Sequence, residues 1–386
     1  MSSKDYFNPQ FPTVNDLRRL AKTRIPKFAF EYLDGGCNDD VNLEKNTEDI
    51  RKIELEPRYI IDREPVDLTT TLFGETYSAP FGVAPVGLQG LIWPGSCQML
   101  AKVANQQHLP FILSTVTTGS IEEVGEITEG KAWFQLYHPA DEKLRDDLLQ
   151  RAWEAGYRVL VILSDVPSFG YRPRDIRNGL SMPPSMSLKN ILQITGKPTW
   201  AFQTLIKGTP EFKNLLPYMP KGLDLSQLGA FMDQTFSGYL NESRIKKIRD
   251  QWKGKLVLKG VASLEDAQLA QKLGLDGIIV SNHGGRQLDG GTSAIKALRS
   301  IEEARFSEMT VMMDSGIRSG PDLAATLASG AQFTFLGRAF MYGVGALGEK
   351  GGHQVVNMLK RQLTQVMEQV GVNSPDQLKN RLVVEK

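Results

Sequence analysis

Eight short apolar runs, separated by stretches with helical patterning, constrain the fold of this chain more than any other feature of its sequence. The runs lack the alternation of polar and apolar residues, which is typical of parallel strands covered on both faces. Strands that alternate with helices in this way predict an α/β fold, a (β/α)8 TIM barrel, with a doubly wound open sheet as the alternative. The runs occupy residues 81–85, 110–114, 132–137, 158–165, 255–260, 277–282, 310–315 and 333–337.

Polar residues at the ends of these runs favour the barrel over the open sheet. The active sites of barrels are built from the loops at the C-terminal ends of the strands. We therefore expect one site at this end of the molecule. The residues that end or directly follow the runs are Gln135, Tyr137, Asp165, Lys259, His283 and Asp314.

Uneven spacing between the runs indicates two additions to a minimal barrel. An extension of residues 1–75 precedes the first strand, and an insertion of residues 178–238 follows the fourth. Because single barrels often exceed the usual domain length, we expect one domain over residues 1–386.

Composition excludes several other classes of protein. The 45 basic and 44 acidic residues leave a net charge of +1, which argues against a nucleic-acid partner. Two cysteines cannot form a disulfide framework or a Cys-rich zinc site, and we expect no metal. There is no apolar run of membrane-spanning length and no apolar signal-peptide core at the start, so a cytoplasmic location is expected.

The string SNHGGRQLDGG, residues 281–291, is the densest chemical signal in the chain. It follows an apolar run, and its glycines let the backbone approach a ligand closely. His283 and Arg286 can point into one pocket, as a general base beside an anion clamp. A lone histidine in a turn would more simply be structural. The whole string argues against that interpretation here.

Glycines and arginines after the last two strands predict a phosphate site. The loops after strands seven and eight of a barrel frequently bind phosphate. We therefore expect a phosphate-bearing substrate or cofactor. The candidate residues are Asp314, Gly316, Arg318, Gly337 and Arg338.

Four further residues have both a functional and a structural interpretation. Lys259 at a strand end can form a Schiff base, place a positive charge against a cofactor, or be solvated. Asp165 can orient a histidine base, and Arg172 can join Arg286 in holding a carboxylate, although either can equally be a helix cap or a loop charge. Tyr32 by itself is typical of a core aromatic residue.

Together these residues resemble the FMN-dependent L-2-hydroxy acid dehydrogenases and oxidases, whose signature is the SNHGGRQLDG string. The resemblance covers about residues 6 to 375 and is strongest to the bacterial (S)-mandelate dehydrogenases. It also rests on the strings EYLDGG, VGLQGLIWP, AWFQLY, GYRPRDIRNG and GKPTW.

The resemblance implies a role for each candidate on the substrate side. His283 would be the base that takes a proton from the substrate, and Asp165 would stabilise the imidazolium. Arg286, Arg172 and Tyr32 would hold the carboxylate. Tyr137 would form a hydrogen bond to the substrate hydroxyl or to the developing product carbonyl. Neither the residues nor the resemblance decides between carbanion and hydride transfer.

The resemblance also implies how FMN would be bound. Lys259 would stabilise the reduced flavin, which displaces the Schiff-base interpretation. Asp314 would contact the ribityl chain, and the glycines and arginines of the phosphate site would hold the phosphate. The isoalloxazine would contact the backbone of Pro85, Val86 and Gly87 and the side chains of Ser114 and Gln135.

A few positions depart from the family pattern. Leu163 replaces a threonine that contacts the flavin in many members, and Ser315 replaces a glycine. Val116 stands where glycolate oxidase has a tryptophan over the substrate, which predicts a roomier pocket and a larger or aromatic substrate side chain. Gly87 resembles the dehydrogenases, where oxidases often have alanine.

The insertion predicts contact with a membrane. Residues 181–225 hold five lysines against one glutamate and one aspartate, a net charge of +3, with apolar residues and Trp200 between them. A basic, apolar segment with an interfacial tryptophan suits peripheral attachment. The alternative is an apolar loop that packs on the barrel or on another subunit.

We therefore predict an FMN enzyme that oxidises an (S)-2-hydroxy acid and passes electrons to a membrane quinone, as a homotetramer on the cytoplasmic face of the inner membrane. A soluble oxidase that uses O2 and produces H2O2 is the main alternative. A Schiff-base aldolase with Lys259 and a non-enzymatic membrane or scaffold protein are the remaining ones.

Overall fold

The eight predicted strands all form, and each begins and ends within two residues of the bounds of its apolar run. The computed structural model describes residues 3–62, 64–180, 187–220, 231–232, 234–236 and 239–383. Two further strands make a short antiparallel hairpin before the barrel. The strands are β1 (Thr70–Leu72), β2 (Glu75–Tyr77), β3 (Phe81–Val83), β4 (Ile112–Ser114), β5 (Trp133–Leu136), β6 (Val159–Leu163), β7 (Lys255–Val261), β8 (Gly277–Val280), β9 (Thr310–Met313) and β10 (Phe333–Leu336).

The strands from β3 to β10 form one parallel sheet that closes on itself. Its order is β3-β10-β9-β8-β7-β6-β5-β4. A parallel bridge between Val83 and Phe111, with the Val83 amide donating to the Pro110 carbonyl at 2.9 Å, joins the two ends of the sheet. The TIM barrel is therefore confirmed, and the doubly wound open sheet is wrong.

Helices alternate with the strands, as their sequences predict. Four of them begin at a residue whose side chain accepts a hydrogen bond from a backbone amide of the first turn, which satisfies an otherwise unpaired donor. These residues are Ser120, Asp141, Ser263 and Ser319. The helices are α1 (Val14–Arg24), α2 (Lys27–Asp34), α3 (Val41–Ile50), α4 (Gln89–Ile92), α5 (Ser96–Gln106), α6 (Ile121–Ile127), α7 (Glu142–Glu154), α8 (Pro173–Arg177), α9 (Leu188–Thr195), α10 (Pro198–Lys207), α11 (Glu242–Gln251), α12 (Leu264–Lys272), α13 (Ala294–Glu302), α14 (Gly320–Ala328), α15 (Arg338–Leu347) and α16 (Glu349–Val370), with 3-10 turns at Ser3–Asp5, Leu216–Tyr218 and Pro375–Arg381.

The barrel interior is filled by large side chains, and the N-terminal extension covers its lower end. Trp133 and Phe335 pack edge to face at 5.3 Å in a cluster inside the barrel. Phe73, at the turn of the β1–β2 hairpin, lies 5.6 Å from Trp133 and close to Gly277, the first residue of β8. The hairpin therefore caps the N-terminal ends of the strands and leaves the opposite end for a site.

The first helices of the extension reach that opposite end. Helix α1 packs against α15, which follows the last strand. The end of α2 is held by Arg338, which donates to the carbonyls of Leu33 and Gly35 at 2.8 Å each. Tyr32 is thereby brought beside residues that lie some 250 to 300 positions later in the chain.

The described part of the insertion contains α9 and α10. Trp200 is buried there, and its indole N–H donates to the carbonyls of Leu91 (3.2 Å) and Ile92 (3.1 Å). Part of the predicted membrane segment, residues 181–186 and 221–225, lies outside the described residues. The division into one domain with an extension and an insertion stays a prediction.

Candidate active site

A cavity of about 1100 Å³ opens at the C-terminal ends of the barrel strands. This volume exceeds the usual range for a single small ligand and leaves room for a cofactor together with a substrate. Five basic side chains line it against three acidic ones, so it suits anions. The predicted residues in its lining are Tyr32, Pro85, Val86, Gly87, Tyr137, Arg172, Lys259, His283, Arg286, Asp314, Gly316, Arg318, Gly337 and Arg338.

His283 and Asp165 form a largely buried pair at this cavity. Nδ1 of His283 lies 3.0 Å from a carboxylate oxygen of Asp165. His283 has φ +58°, in the left-handed region, where the glycines that follow it continue the turn. Burial lowers the pKa of His283 and outweighs the opposing influence of Asp165, so the imidazole is neutral at ordinary pH. Asp165 itself stays ionised: burial works against this, but His283 and Lys259 bring its pKa below the usual value.

Lys259 is a buried cation in a network of oxygens. Its Nζ donates to the Ser281 hydroxyl at 3.0 Å and lies 3.2 Å from Asp314 and 3.9 Å from Asp165. Burial favours the neutral amine, yet Asp314 and Asp165 outweigh it and raise the pKa of Lys259. A lysine that forms a Schiff base must reach its neutral form, and this environment opposes that.

Two arginines share one carboxylate on the side of the cavity nearest Tyr32. The guanidinium of Arg286 donates to the carbonyls of Tyr32 and Gly35 at 2.7 Å each and lies over the Tyr32 ring. Asp175 lies 3.7 Å from Arg286 and 3.9 Å from Arg172. Burial, with a contribution from Arg172, lowers the pKa of Arg286 to about 10. The pair therefore has positive charge to spare for an incoming carboxylate.

The far end of the cavity is also positive. Burial lowers the pKa of Arg318, and it lowers the pKa of Arg338 to about 9, because acidic neighbours compensate neither guanidinium fully. The Arg338 side chain donates to backbone carbonyls, including that of Gly284 at 2.9 Å, so it braces the loops around the cavity. The helix that begins at Arg338 turns its N-terminal end, after Gly337, toward this part of the site.

Three predicted residues stand outside the cavity lining. Asp165 lies behind His283. Ser114 and Gln135 occupy paired positions at the ends of β4 and β5, and both are buried. The hydroxyl of Ser114 and the carbonyl oxygen of Gln135 have no hydrogen-bond partner in the described structure, which is costly unless a bound group supplies one.

Two tyrosines complete the predicted set. The Tyr32 ring faces Arg286, with 5.0 Å between its centroid and the guanidinium carbon. Tyr137 packs against Phe236 at 5.7 Å, and burial, followed by the charge of Asp165, raises its pKa, so its hydroxyl stays protonated.

Sequence reasoning missed several residues of the site. Asp175 follows Arg172 by three residues. This spacing brings two side chains together on a helix, so it could have predicted that Asp175 belongs to the site. Ser281, which links Lys259 to Asp314, had no such signal because its partners come from other strands. A cluster formed by Phe212, Leu215 and Met232 of the insertion packs against Val116, and two of these three line the cavity.

Comparison with known proteins finds similar sequences and structures along nearly the whole chain. Residues 21–385 match the family model described as FMN-dependent dehydrogenase. An L-lactate dehydrogenase of Caulobacter sp. (strain K31) is 38% identical over 367 residues, 95% of this chain and 96% of that protein. The crystal structure of the monotopic membrane protein (S)-mandelate dehydrogenase superposes with a TM-score of 0.91 at 33% identity, covering 97% of this chain and 99% of that one. A mandelate oxidase structure gives 0.80 at 29% identity, with coverage of 97% and 99%.

A barrel with a histidine–aspartate pair, a buried lysine and an anion-binding cavity at its C-terminal end is typical of enzymes that work with a bound phosphate-bearing cofactor. Within that class, the chain belongs to the FMN-dependent dehydrogenase family. FMN is its cofactor, and its chemistry is that of the 2-hydroxy acid dehydrogenases and oxidases. The aldolase and scaffold alternatives are therefore wrong. In the part of the chain that the structure describes, no helix is long and apolar enough to cross a bilayer.

Proposed function

We propose that this enzyme oxidises an (S)-2-hydroxy acid with a bulky, mandelate-like side chain to the 2-oxo acid and passes the electrons to a membrane quinone. The observation that carries the proposal is the neutral His283, paired with Asp165 in a cavity that also holds Arg286 and Arg172. This arrangement sets a base beside an anchor for a carboxylate, which are the two groups that a 2-hydroxy acid requires.

The residues present fit FMN. The unpartnered Ser114 and Gln135 oxygens suit the polar edge of a flavin, Lys259 supplies a positive charge, and Arg318 with the N-terminal end of α15 suits a phosphate. Pro85, Val86, Gly87, Asp314, Gly316 and Gly337 are the remaining residues that would hold it. FMN supplies an acceptor for the two electrons of the substrate, which no protein side chain can provide.

His283 acts as the general base in this proposal. Its Nδ1 is directed at Asp165, so its other nitrogen, Nε2, is the one available to take the proton that leaves the substrate. The imidazolium formed in this way is stabilised by the Asp165 carboxylate, which stays ionised.

Arg286 and Arg172 bind the substrate carboxylate, and two tyrosines orient the rest of the reacting group. The Tyr32 hydroxyl assists the arginines. The Tyr137 hydroxyl, which stays protonated, donates to the oxygen that becomes the product carbonyl.

The proposal of a bulky substrate side chain rests on the apolar residues that line the cavity near Val116. Val116 leaves space where a larger residue would fill it, and Phe212, Met219 and Met232 extend the apolar surface from the insertion. By their names, the similar proteins act on lactate, which is a small acid, and on mandelate, which is an aromatic one.

The membrane acceptor is supported by the surface of the insertion. Helices α9 and α10 expose a set of large apolar side chains with lysines beside them, which suits the interface of an anionic bilayer. The similar (S)-mandelate dehydrogenase is described as monotopic. The exposed apolar residues are Leu188, Ile191, Leu192, Phe202, Leu205 and Ile206.

Anaerobic mixing of the purified yellow protein with candidate acids tests the reaction and its substrate. Under nitrogen, (S)-mandelate should bleach the flavin absorbance faster than lactate or glycolate, and (R)-mandelate should leave it unchanged. A flavin that no 2-hydroxy acid bleaches would refute the proposed reaction, and faster bleaching by lactate would refute the side-chain specificity.

Oxidation by O2 is the second candidate, favoured by the similarity to a mandelate oxidase. The two acceptors are separated by reducing the flavin with substrate and then adding either air-saturated buffer or a short-chain quinone. We expect reoxidation by the quinone to be much the faster. Faster reoxidation by air, with H2O2 formed in equal amount to the 2-oxo acid, would establish the oxidase instead.

A further inference from the structure

A second cavity, of about 230 Å³, lies beside the active-site cavity and shares two walls with it, Tyr137 and Phe169. We propose that this cavity binds the ring of a quinone and that His138 donates a hydrogen bond to a quinone carbonyl. The inference rests on the proposed function and adds the place where the electron acceptor binds.

The hydrogen bonds of His138 determine which ring nitrogen carries its proton. The His138 side chain lines the cavity and is 7% exposed. Nη1 of Arg244 lies 3.3 Å from Nδ1 of His138, and because a guanidinium only donates, Nδ1 is the acceptor. The proton of the neutral ring therefore sits on Nε2, which is buried without a partner in the described structure. A buried N–H donor without an acceptor is costly, and a carbonyl oxygen in the cavity would satisfy it.

The charge of the site fits a neutral ligand better than an anion. Burial, with Arg244 and Arg145 adding to it, lowers the pKa of His138 to about 4, so the ring is uncharged at neutral pH. None of the described residues that line the cavity is acidic or basic apart from this histidine. The hydroxyl of Ser164 is already used, since it donates to the Lys259 carbonyl at 2.9 Å.

The walls suit a flat apolar ring that arrives from a membrane. Phe169 and Phe236 supply aromatic surface, and Leu163 and Leu240 supply aliphatic surface. Tyr239, which is largely exposed, marks the side open to solvent. Phe236 belongs to the same insertion as the exposed helices α9 and α10.

The overall reaction balances without another reactant. The 2-hydroxy acid loses two electrons and two protons as its C–OH becomes C=O, and the quinone gains two electrons and two protons as it becomes the quinol. His138 only donates a hydrogen bond and exchanges no proton in this scheme.

The test uses the FMN-loaded enzyme in detergent and measures binding of decylubiquinone to the oxidised protein by equilibrium dialysis, without turnover. His138→Phe removes the donor and should weaken binding about five- to tenfold, the usual effect of one neutral hydrogen bond. Leu240→Trp narrows the cavity and should weaken binding further. Anaerobic bleaching by the acid should stay unchanged in both variants, while reoxidation by decylubiquinone slows.

His353→Phe is the matched control, because His353 is also a buried histidine whose Nε2 has no partner in the described structure, but it lies on α16. Quinone binding equal to that of the unmodified enzyme in both cavity variants would overturn the proposed site. If no 2-hydroxy acid bleached the flavin, the proposed function would be refuted instead. The dialysis measurement would still show whether the cavity binds the quinone.

Discussion

At the scale of single residues, burial and nearby charge together decide the protonation states on which the chemistry depends. His283 and Lys259 both contact the same carboxylate, Asp165, yet their pKa values move in opposite directions from the usual ones. For His283, burial outweighs one carboxylate, whereas for Lys259 two carboxylates outweigh burial. The same cavity therefore holds a neutral base and a permanent cation.

Replacing His283 tests the base. His283→Asn removes the imidazole but accepts the positive φ, so the fold and bound FMN should persist. We expect kcat/KM for the acid to fall by about 10² to 10⁴, the usual contribution of general base catalysis. His108→Asn is the matched control, since His108 also has a positive φ (52°) but is exposed. A small loss of activity in the His283 variant would contradict the assignment.

The pH dependence of kcat/KM tests the pair. The base works when neutral, and its pKa lies below the usual 6.5, so activity should fall only as pH drops below that value. Asp165 raises the pKa of His283, so Asp165→Asn should move this acid limb to lower pH while lowering the plateau at least tenfold, because the imidazolium loses its partner. Asp250→Asn on the surface should change neither. An acid limb that moves to higher pH would contradict the argument.

At the scale of elements, helix α10 of the insertion combines a buried anchor with an exposed apolar surface. Trp200 fastens α10 to the barrel through two hydrogen bonds to α4 and its C-terminal end. Leu205 and Ile206 of the same helix are exposed at 81% and 58%. A helix that packs by one edge in this way leaves the remaining apolar surface for a partner or a membrane.

Changing that surface tests membrane binding without touching the cavity. Leu205→Gln together with Ile206→Gln should release the protein from vesicles that contain anionic lipid, as measured by co-sedimentation, while bleaching by substrate stays the same. Tyr59→Gln with Ile60→Gln is the control pair, because both residues are exposed but lie outside the insertion. Equal sedimentation of both double variants would show that this surface does not bind the membrane.

At the scale of the whole molecule, stability and function occupy opposite ends of the barrel. The hairpin with Phe73 and the residues packed around Trp133 fill the lower part, whereas the charged residues gather at the upper end. Side chains inside the barrel form a packed core, so the loops above can vary without loss of the fold.

Trp133→Ala should lower the free energy of unfolding by about 3–5 kcal/mol, because it leaves a large void among rings that cannot close around it. Trp153→Ala, at a half-exposed position on α7, should cost much less. Denaturant unfolding of the two variants measures the difference. Similar losses from both would contradict the idea that the barrel interior carries the stability.

Much of the fold and of the site was readable from the sequence. The strands were predictable because a parallel strand covered on both faces has to be apolar throughout, and β6 and β8 are so. Candidate site residues such as Asp165, Lys259, His283 and Asp314 were predictable because they end or directly follow those strands. The hairpin at Phe73 was missed, because its two strands, β1 and β2, are short and mostly polar and therefore form no apolar run.

The sequence by itself determined the barrel, the end of the barrel that holds the site, and the placement of His283 at that end. Only the tertiary structure decided that Asp175 stands between Arg172 and Arg286, that Lys259 is charged and that His138 carries its proton on Nε2. The physical reason is that strand and helix periodicity is local, whereas a protonation state depends on burial and on charges brought together from distant parts of the chain.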